Sequence, residues 1–171
     1  MQVKKWSIIV LFSLFIAAPV SAQKGTEHLR SSQLISKEKA MNIEVQYALG
    51  KFTLNPSLAE EAYVVNIEYP VDLFTPAVDY EIEDDVGYLT VKSNKDDGDE
   101  FNIDWEDREE NSRWDIEYNP DLPTTMNLEI GLGKGVLELG GAHITELDLE
   151  NGLSDMTENT IRRTGTRQRR R

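Results

Sequence analysis

The chain has 171 residues, contains no cysteine and carries a formal net charge of −13 at pH 7. Without cysteine it has no disulfide framework and no thiol for lipidation, so an apolar core must stabilise any folded form. The negative charge argues against nucleic acid or anionic lipid as a partner, because phosphate groups would be repelled.

The first twenty-two residues have the three parts of a secretory signal peptide. Lys4 and Lys5 form the basic start, residues 6–18 form the apolar run, and Val20-Ser21-Ala22 forms a small-residue cleavage site. The apolar run is shorter than the roughly 20 residues that span a bilayer, so cleavage before Gln23 is predicted rather than a membrane anchor. Cleavage leaves one domain of 149 residues, exported to the periplasm or cell surface without stable membrane insertion.

The segment after the leader, residues 23–40, is polar and has no sustained periodicity, which predicts a flexible leader. The folded part is expected to begin near Met41. From there apolar and polar residues alternate around a corner at Leu49-Gly50-Lys51. Further strands bounded by Gly, Pro, Asn or Asp turns are predicted at residues 64–69, 78–83, 88–92, 101–105 and 114–118.

A glycine-punctuated strand pattern occurs twice, at residues 128–139 and 147–156, and Leu49-Gly50-Lys51 recurs as Leu132-Gly133-Lys134. Alternating apolar and acidic residues place the leucines and isoleucines on one face of a strand. The inward set includes Ile130, Leu137 and Leu149. Glycines allow sharp backbone corners, and four are predicted to form structural corners: Gly50, Gly133, Gly135 and Gly152.

This pattern predicts an all-β fold, a solenoid-like stack of short strands with glycine corners that follows N-terminal antiparallel strands. A β-sandwich is the alternative. Each repeat buries its apolar face only by stacking on a neighbour, so the pattern indicates a scaffold rather than a particular chemistry.

The segment Tyr118-Asn119-Pro120-Asp121-Leu122-Pro123, followed by residues 128–135 and 147–152, resembles the bacterial toast-rack domains. These are related to the C-terminal domain of cell-wall-active antibiotics response proteins and to candidate adhesins of unknown function. The resemblance implies a solenoid-like all-β domain over residues 41–156 and an envelope role, and it brings no catalytic residues. Lys134 stands where the family usually has a small residue, which a corner accommodates if the side chain points to solvent.

The C-terminal residues 157–171 have neither the repeat nor the acidity of the preceding chain, and are predicted to be a disordered basic tail. Signal cleavage removes two lysines and lowers the charge to −15, and six arginines lie in residues 161–171, so residues 23–160 carry −21. The resemblance implies further repeats after residue 156, which suggests a truncated gene or a shifted reading frame. Alternatively the arginines bind phosphate-rich surfaces or fold back on the acidic body.

No arrangement of residues predicts catalysis, a cofactor or a metal. The acidic segment 96–110 lacks the spacing of an EF-hand, so a solvated loop is favoured over a Ca²⁺ site. His28 and His143 lie far apart in the sequence and have no cysteine beside them, which argues against zinc or copper. Trp105 and Trp114 alternate with apolar neighbours and are interpreted as buried residues rather than carbohydrate platforms.

The leading functional hypothesis is a non-catalytic envelope module, a binding or adhesion-like scaffold whose partner is an envelope protein or a surface polymer. The oligomeric state stays open. One alternative is an accessory protein of envelope-stress signalling that regulates a membrane sensor. Another is a small glycan-active enzyme that uses the acidic segment.

Overall fold

The structure is a computed structural model that describes residues 25–57, 60–94, 112–152, 154–159 and 167–170. Within these residues it contains β-strands and no helix, which confirms the all-β prediction. The described residues therefore include no helix long and apolar enough to span a membrane. The ten strands are β1 (Thr26–Leu34), β2 (Ala40–Pro56), β3 (Glu61–Pro70), β4 (Thr75–Glu83), β5 (Val86–Asn94), β6 (Arg113–Tyr118), β7 (Thr124–Glu138), β8 (Ile144–Asn151), β9 (Ser154–Asn159) and β10 (Arg167–Arg170).

The two longest strands, β2 and β7, organise the fold. They pair in parallel along almost their whole length, and each bends at a glycine. Leu49 lies opposite Leu132, and Lys51 lies opposite Lys134, so the recurring Leu-Gly-Lys triplets are stacked in register. The bend divides each strand into a first half (residues 40–47 and 124–130) and a second half (residues 51–56 and 134–138).

The halves belong to two walls of one mixed sheet. The parallel strands of the first wall are, in spatial order, β5, the first half of β2, the first half of β7, β8 and β10. Strand β4 pairs antiparallel with β5. The parallel strands of the second wall are, in spatial order, β6, the second half of β2, the second half of β7, and β9. Two more strands, β3 and β1, extend the second wall in antiparallel fashion.

Alternate side chains of both walls meet in one core. Met41, Ile43 and Val45 are buried before the bend of β2, and Phe52 and Leu54 are buried after it. The change from odd to even positions at the bend keeps the apolar side chains inward in both halves. Each such side chain contributes on the order of 1.5–3 kcal/mol by burial. The largest fully buried side chains include Trp114, Tyr118, Phe52, Met41 and Ile43.

The leucines and isoleucines of the repeat lie on this inward face. Ile130 and Leu137 are buried, which confirms their predicted orientation, and Leu149 is partly buried against the same core. The two walls also touch through aromatic rings. Tyr63 of β3 and Tyr80 of β4 have ring centroids 5.0 Å apart.

The proline-rich segment between β6 and β7 forms a hydrogen-bonded turn, as its sequence predicts. The Asn119 side chain accepts a hydrogen bond from the Asp121 N–H at 3.0 Å and donates to the Glu61 carbonyl at 3.2 Å. The His143 N–H donates to the Pro120 carbonyl at 3.1 Å, and the Met41 N–H donates to the Pro123 carbonyl at 2.9 Å. The start of β2 and the turn before β8 are therefore tied to this segment.

The prediction of a flexible leader is wrong for residues 26–34, which form β1. This strand pairs antiparallel with β3, from Thr26 opposite Pro70 to Ser32 opposite Val64. Its sequence gives little sign of a strand because Leu29 is its only hydrophobic residue packed against the core. The backbone of β3 supplies the hydrogen bonds that define β1, and no apolar alternation is needed for them.

The prediction of a disordered tail from residue 157 is wrong where strands are described. Residues up to Asn159 belong to β9, which pairs with β7. Further on, β10 pairs in parallel with β8, and its register places Arg167 opposite Glu146 and Arg169 opposite Asp148. An open strand edge offers unpaired backbone groups with which another strand can pair. The signal peptide, Trp105, the predicted strand at 101–105 and the acidic segment 96–110 lie outside the described residues.

Candidate ligand-binding face

A row of three basic residues crosses the outer face of the second wall. Lys51 of β2 lies opposite Arg113 of β6 on one side and Lys134 of β7 on the other. Neighbouring strands lie about 4.8 Å apart, so the three residues follow one line across the sheet. All three are exposed. We call Lys51, Arg113 and Lys134 the basic row. It is a line of three positively charged residues on adjacent strands of a chain whose net charge is −13.

Strand alternation explains why these side chains point outward. Phe52 and Trp114, the next residues along β2 and β6, are fully buried in the core. Successive side chains of a strand point to opposite faces, so Lys51 and Arg113 are turned away from the core. Lys134 is exposed, which meets the condition under which its corner can accommodate a long side chain.

The guanidinium of Arg113 is oriented by an acidic neighbour on the same strand. Its Nε donates a hydrogen bond to Oδ2 of Asp115 at 2.7 Å. This hydrogen bond and the charge of Asp115 raise the pKa of Arg113, and Glu68 adds to the effect. Arginine has five N–H donors, so the contact with Asp115 fixes the side chain while other donors face solvent.

A shallow groove of about 430 Å³ begins at Arg113 and runs over β6, β3 and β1. Register places Glu68 between Arg113 and His28, and places Asn66 between Asp115 and Arg30. Nε2 of His28 lies 3.9 Å from Oε1 of Glu68. The groove therefore combines cationic donors, carboxylate acceptors and an amide on one polar surface: His28, Arg30, Asn66, Glu68, Arg113 and Asp115.

The outer face of the first wall has the opposite character. It carries Glu44 on the first half of β2, Glu129 on the first half of β7, and the acids of β8. Glu129 lies opposite Glu150. Lys92 is 3.1 Å from Oε1 of Glu44. A second groove of about 630 Å³ opens at the corner end of this wall, lined by Gln46, Tyr47, Ser93, Glu129, Ile130, Gly131, Glu150, Asn151 and Gly152. Its two carboxylates make it a poor site for an anion.

The four glycines predicted as corners occupy different positions. Gly50 and Gly133 lie at the bends of β2 and β7 with φ of 118° and 133°, angles that disfavour any other residue. Gly135 is buried inside β7 opposite Phe52. Gly152 lies between β8 and β9, and its N–H donates to the Ile130 carbonyl at 2.8 Å.

A buried carboxylate orders the connection between β1 and β2. Oε2 of Glu38 accepts hydrogen bonds from the backbone N–H groups of Ser36 and Lys37, each at 2.7 Å, and Oε1 accepts one from the Tyr80 hydroxyl at 2.7 Å. Burial alone would raise the pKa of Glu38, but the hydrogen bonds from Tyr80 and Ser36 outweigh it and lower the pKa from 4.5 to about 2. Burial and the neighbouring Glu38 carboxylate raise the pKa of Tyr80. This cluster stabilises the connection between β1 and β2.

The two histidines do not form a metal site. His28 lies on β1 in the groove, and His143 is exposed at the turn before β8. Among the residues that the structure describes, no three His, Asp or Glu side chains are arranged to hold a metal ion. Trp114 is fully buried, so its ring offers no platform on the surface.

Sequence reasoning missed the basic row. Arg113 is separated from Lys51 by more than sixty positions, and only the register of β6 on β2 brings them together. The recurrence of Leu-Gly-Lys was the available signal. If the two triplets stack, their lysines must be neighbours on one face.

Comparison with protein families shows where this chain belongs. Residues 19–164 match the family described as the N-terminal domain of toast_rack, DUF2154. The chain belongs to this family. This match confirms the resemblance to toast-rack domains that the sequence indicates. No curated protein matches it.

A solved structure shows the same fold. A protein of Clostridium sporogenes ATCC 15579, described as a "putative cell adhesion protein", superposes with a TM-score of 0.60 at 17% identity, over 74% of this chain and 59% of that chain. A "putative adhesin" of Bacteroides fragilis NCTC 9343 matches with a TM-score of 0.42 at 15% identity, over 81% of this chain and 56% of that chain. The toast-rack chain thus spans less than two thirds of each of these proteins.

Proposed function

We propose that this toast-rack chain is a non-catalytic, exported module of the bacterial envelope that binds an envelope protein or surface polymer in an adhesion-like role. In this proposal residues 1–22 direct export to the periplasm or cell surface. The remaining chain forms a short solenoid-like stack rather than a β-sandwich, and its outer faces are the binding surfaces.

The outer face of the second wall carries this proposal. It is a broad polar surface on which the basic row and the groove present donors and acceptors on five adjacent strands. Catalysis needs positioned groups around an enclosed reacting centre, whereas this surface is shallow and open. The adhesion-related descriptions of the structural neighbours support the same kind of role.

A pull-down from envelope extract tests the proposal. Purified residues 23–171 with an affinity tag are incubated with envelope material that still contains both proteins and polymers. We expect saturable retention that an excess of untagged protein abolishes. Absence of retention above a heat-unfolded control would contradict the proposed binding role.

Mass spectrometry of the envelope fraction tests the export part separately. We expect the mature protein to begin at Gln23. Recovery of a membrane-embedded form that keeps residues 1–22 would overturn the export proposal without affecting the binding proposal.

A further inference from the structure

We propose that the basic row and the adjoining groove bind an acidic polysaccharide, a chain of hydroxyl-rich sugars that carry carboxylates. This inference rests on the proposed function and names the ligand class for its binding face. The polymer would lie across the strands of the second wall, from β7 over β2 and β6 toward β1.

The charge of this surface selects an anion. The basic row places three cations on adjacent strands, and Arg30 adds a fourth at the far side of the groove. Neither Lys51 nor Lys134 forms an ion pair with any residue in the described part of the chain. Asp115 is engaged with Arg113, which reduces its repulsion of an incoming carboxylate. Two further acids lie in the same line by register, Glu68 opposite Arg113 and Asp155 opposite Lys134.

The acceptors beside these cations favour a sugar over a phosphate polymer. Asp115 and Glu68 line the groove, and an ionised carboxylate can only accept hydrogen bonds. Sugar hydroxyls can donate to these acceptors, whereas the ionised phosphate groups of a polyphosphate chain have no hydrogen to donate. The net charge of −13 also opposes a polymer of high charge density.

The shape of the surface favours an extended ligand. The row runs perpendicular to the strands with a spacing of about 4.8 Å, and the groove continues its line. Among the residues that the structure describes, no aromatic side chain lines the groove, and Trp114 is buried. Binding should therefore depend mainly on charge and hydrogen bonds, and should weaken strongly as salt concentration rises.

Isothermal titration of residues 23–171 with polygalacturonate tests the inference. The variant Lys51→Gln/Lys134→Gln removes two cations of the row. The matched control Lys39→Gln/Lys92→Gln removes the same charge from lysines that pair with Asp85 and Glu44. We expect about tenfold weaker binding in the row variant and less than twofold change in the control, since tenfold corresponds to about 1.4 kcal/mol for two exposed contacts. All four lysines are exposed or half-buried, and equal urea midpoints will show that the variants fold.

Two further probes decide the ligand class. Dextran, an uncharged glycan, should not bind, and inorganic polyphosphate should bind more weakly than polygalacturonate at equal charge. Equal losses in both variants, or tighter binding of polyphosphate, would overturn the assignment. If the protein retains envelope material but ignores polygalacturonate, this inference is wrong and the proposed function stands. If it retains nothing, the proposed function itself is wrong.

Discussion

The carbonyl oxygen of Gly50 occupies the space that a Cβ atom of Gly133 would need. The two residues lie opposite each other on parallel strands, and Gly50 in turn packs against the backbone of Ser112, the residue before β6. The Lys51 N–H donates to the Ser112 carbonyl at 2.8 Å. Three consecutive layers are therefore in backbone contact at this corner, which leaves no room for a side chain.

Gly133→Ala should destabilise the fold by at least about 3 kcal/mol. A residue with Cβ is strained at a φ of 133°, and its methyl group would meet the rigid backbone of Gly50. Gly141→Ala is the control, because Gly141 also has positive φ, 81°, but no atom lies within 4 Å of the position that its methyl group would take. That variant should lose about 1 kcal/mol. Urea unfolding measures both, and equal losses would show that the close approach to Gly50 is unimportant.

Glu38→Gln should remove a pH-dependent part of the stability. The folded-state pKa of Glu38, about 2, is below its ordinary 4.5, so its contribution is complete above pH 4.5 and is lost as pH falls toward 2. Such a shift corresponds to about 3 kcal/mol. The difference in unfolding free energy between wild type and Glu38→Gln should therefore shrink between pH 5 and pH 2.5.

The half-buried Glu44, which pairs with Lys92, offers a comparison for this pH effect. Glu44→Gln should change stability little, because surface ion pairs such as that with Lys92 contribute at most about 1 kcal/mol. Tyr80→Phe removes one donor to Glu38 and should reproduce part of the loss. A pH-independent difference for Glu38→Gln would contradict the structural role of the carboxylate.

Leu128→Ala and Leu149→Ala should differ although the residues are register neighbours on β7 and β8. Leu128 is fully buried, so its truncation should cost about 3 kcal/mol, whereas partly buried Leu149 should cost about 1 kcal/mol. Thermal and urea unfolding measure both losses. A larger loss at Leu149 would mean that β8 lies deeper in the core than the structure shows.

Deletion of residues 161–171 should barely change the global unfolding free energy, because β10 is a four-residue strand at one end of the first wall. The local effect should be larger. Amide hydrogens of β8 that pair with β10 should exchange severalfold faster, while those of β2 stay unchanged. Unchanged exchange in β8 would contradict the β8–β10 pairing.

The central part of the fold could be predicted from the sequence because its signals are local and repeated. Alternation fixes which side chains of β2 and β7 face inward, and the recurring triplet around Gly50 and Gly133 anticipates their stacking. The Asn119 turn is equally readable, since asparagine and proline carry their own turn geometry.

The edges and the candidate binding face could not be predicted in the same way. The strand character of β1 comes from the backbone of β3, and its polar sequence carries no trace of that partner. The basic row depends on the register between β6 and β2, and residues 95–112 lie between β5 and β6 in the sequence. A single sequence gives no measure of that register.

The bends at Gly50 and Gly133 also have a mechanical consequence. Each long strand belongs to both walls. A force that separates one wall from the core is therefore transmitted to the other wall. A force applied along β2 and β7 would act in shear on the whole parallel ladder between them, and many hydrogen bonds would have to break together. A module that tethers a cell surface to a polymer under flow would need such resistance to tension.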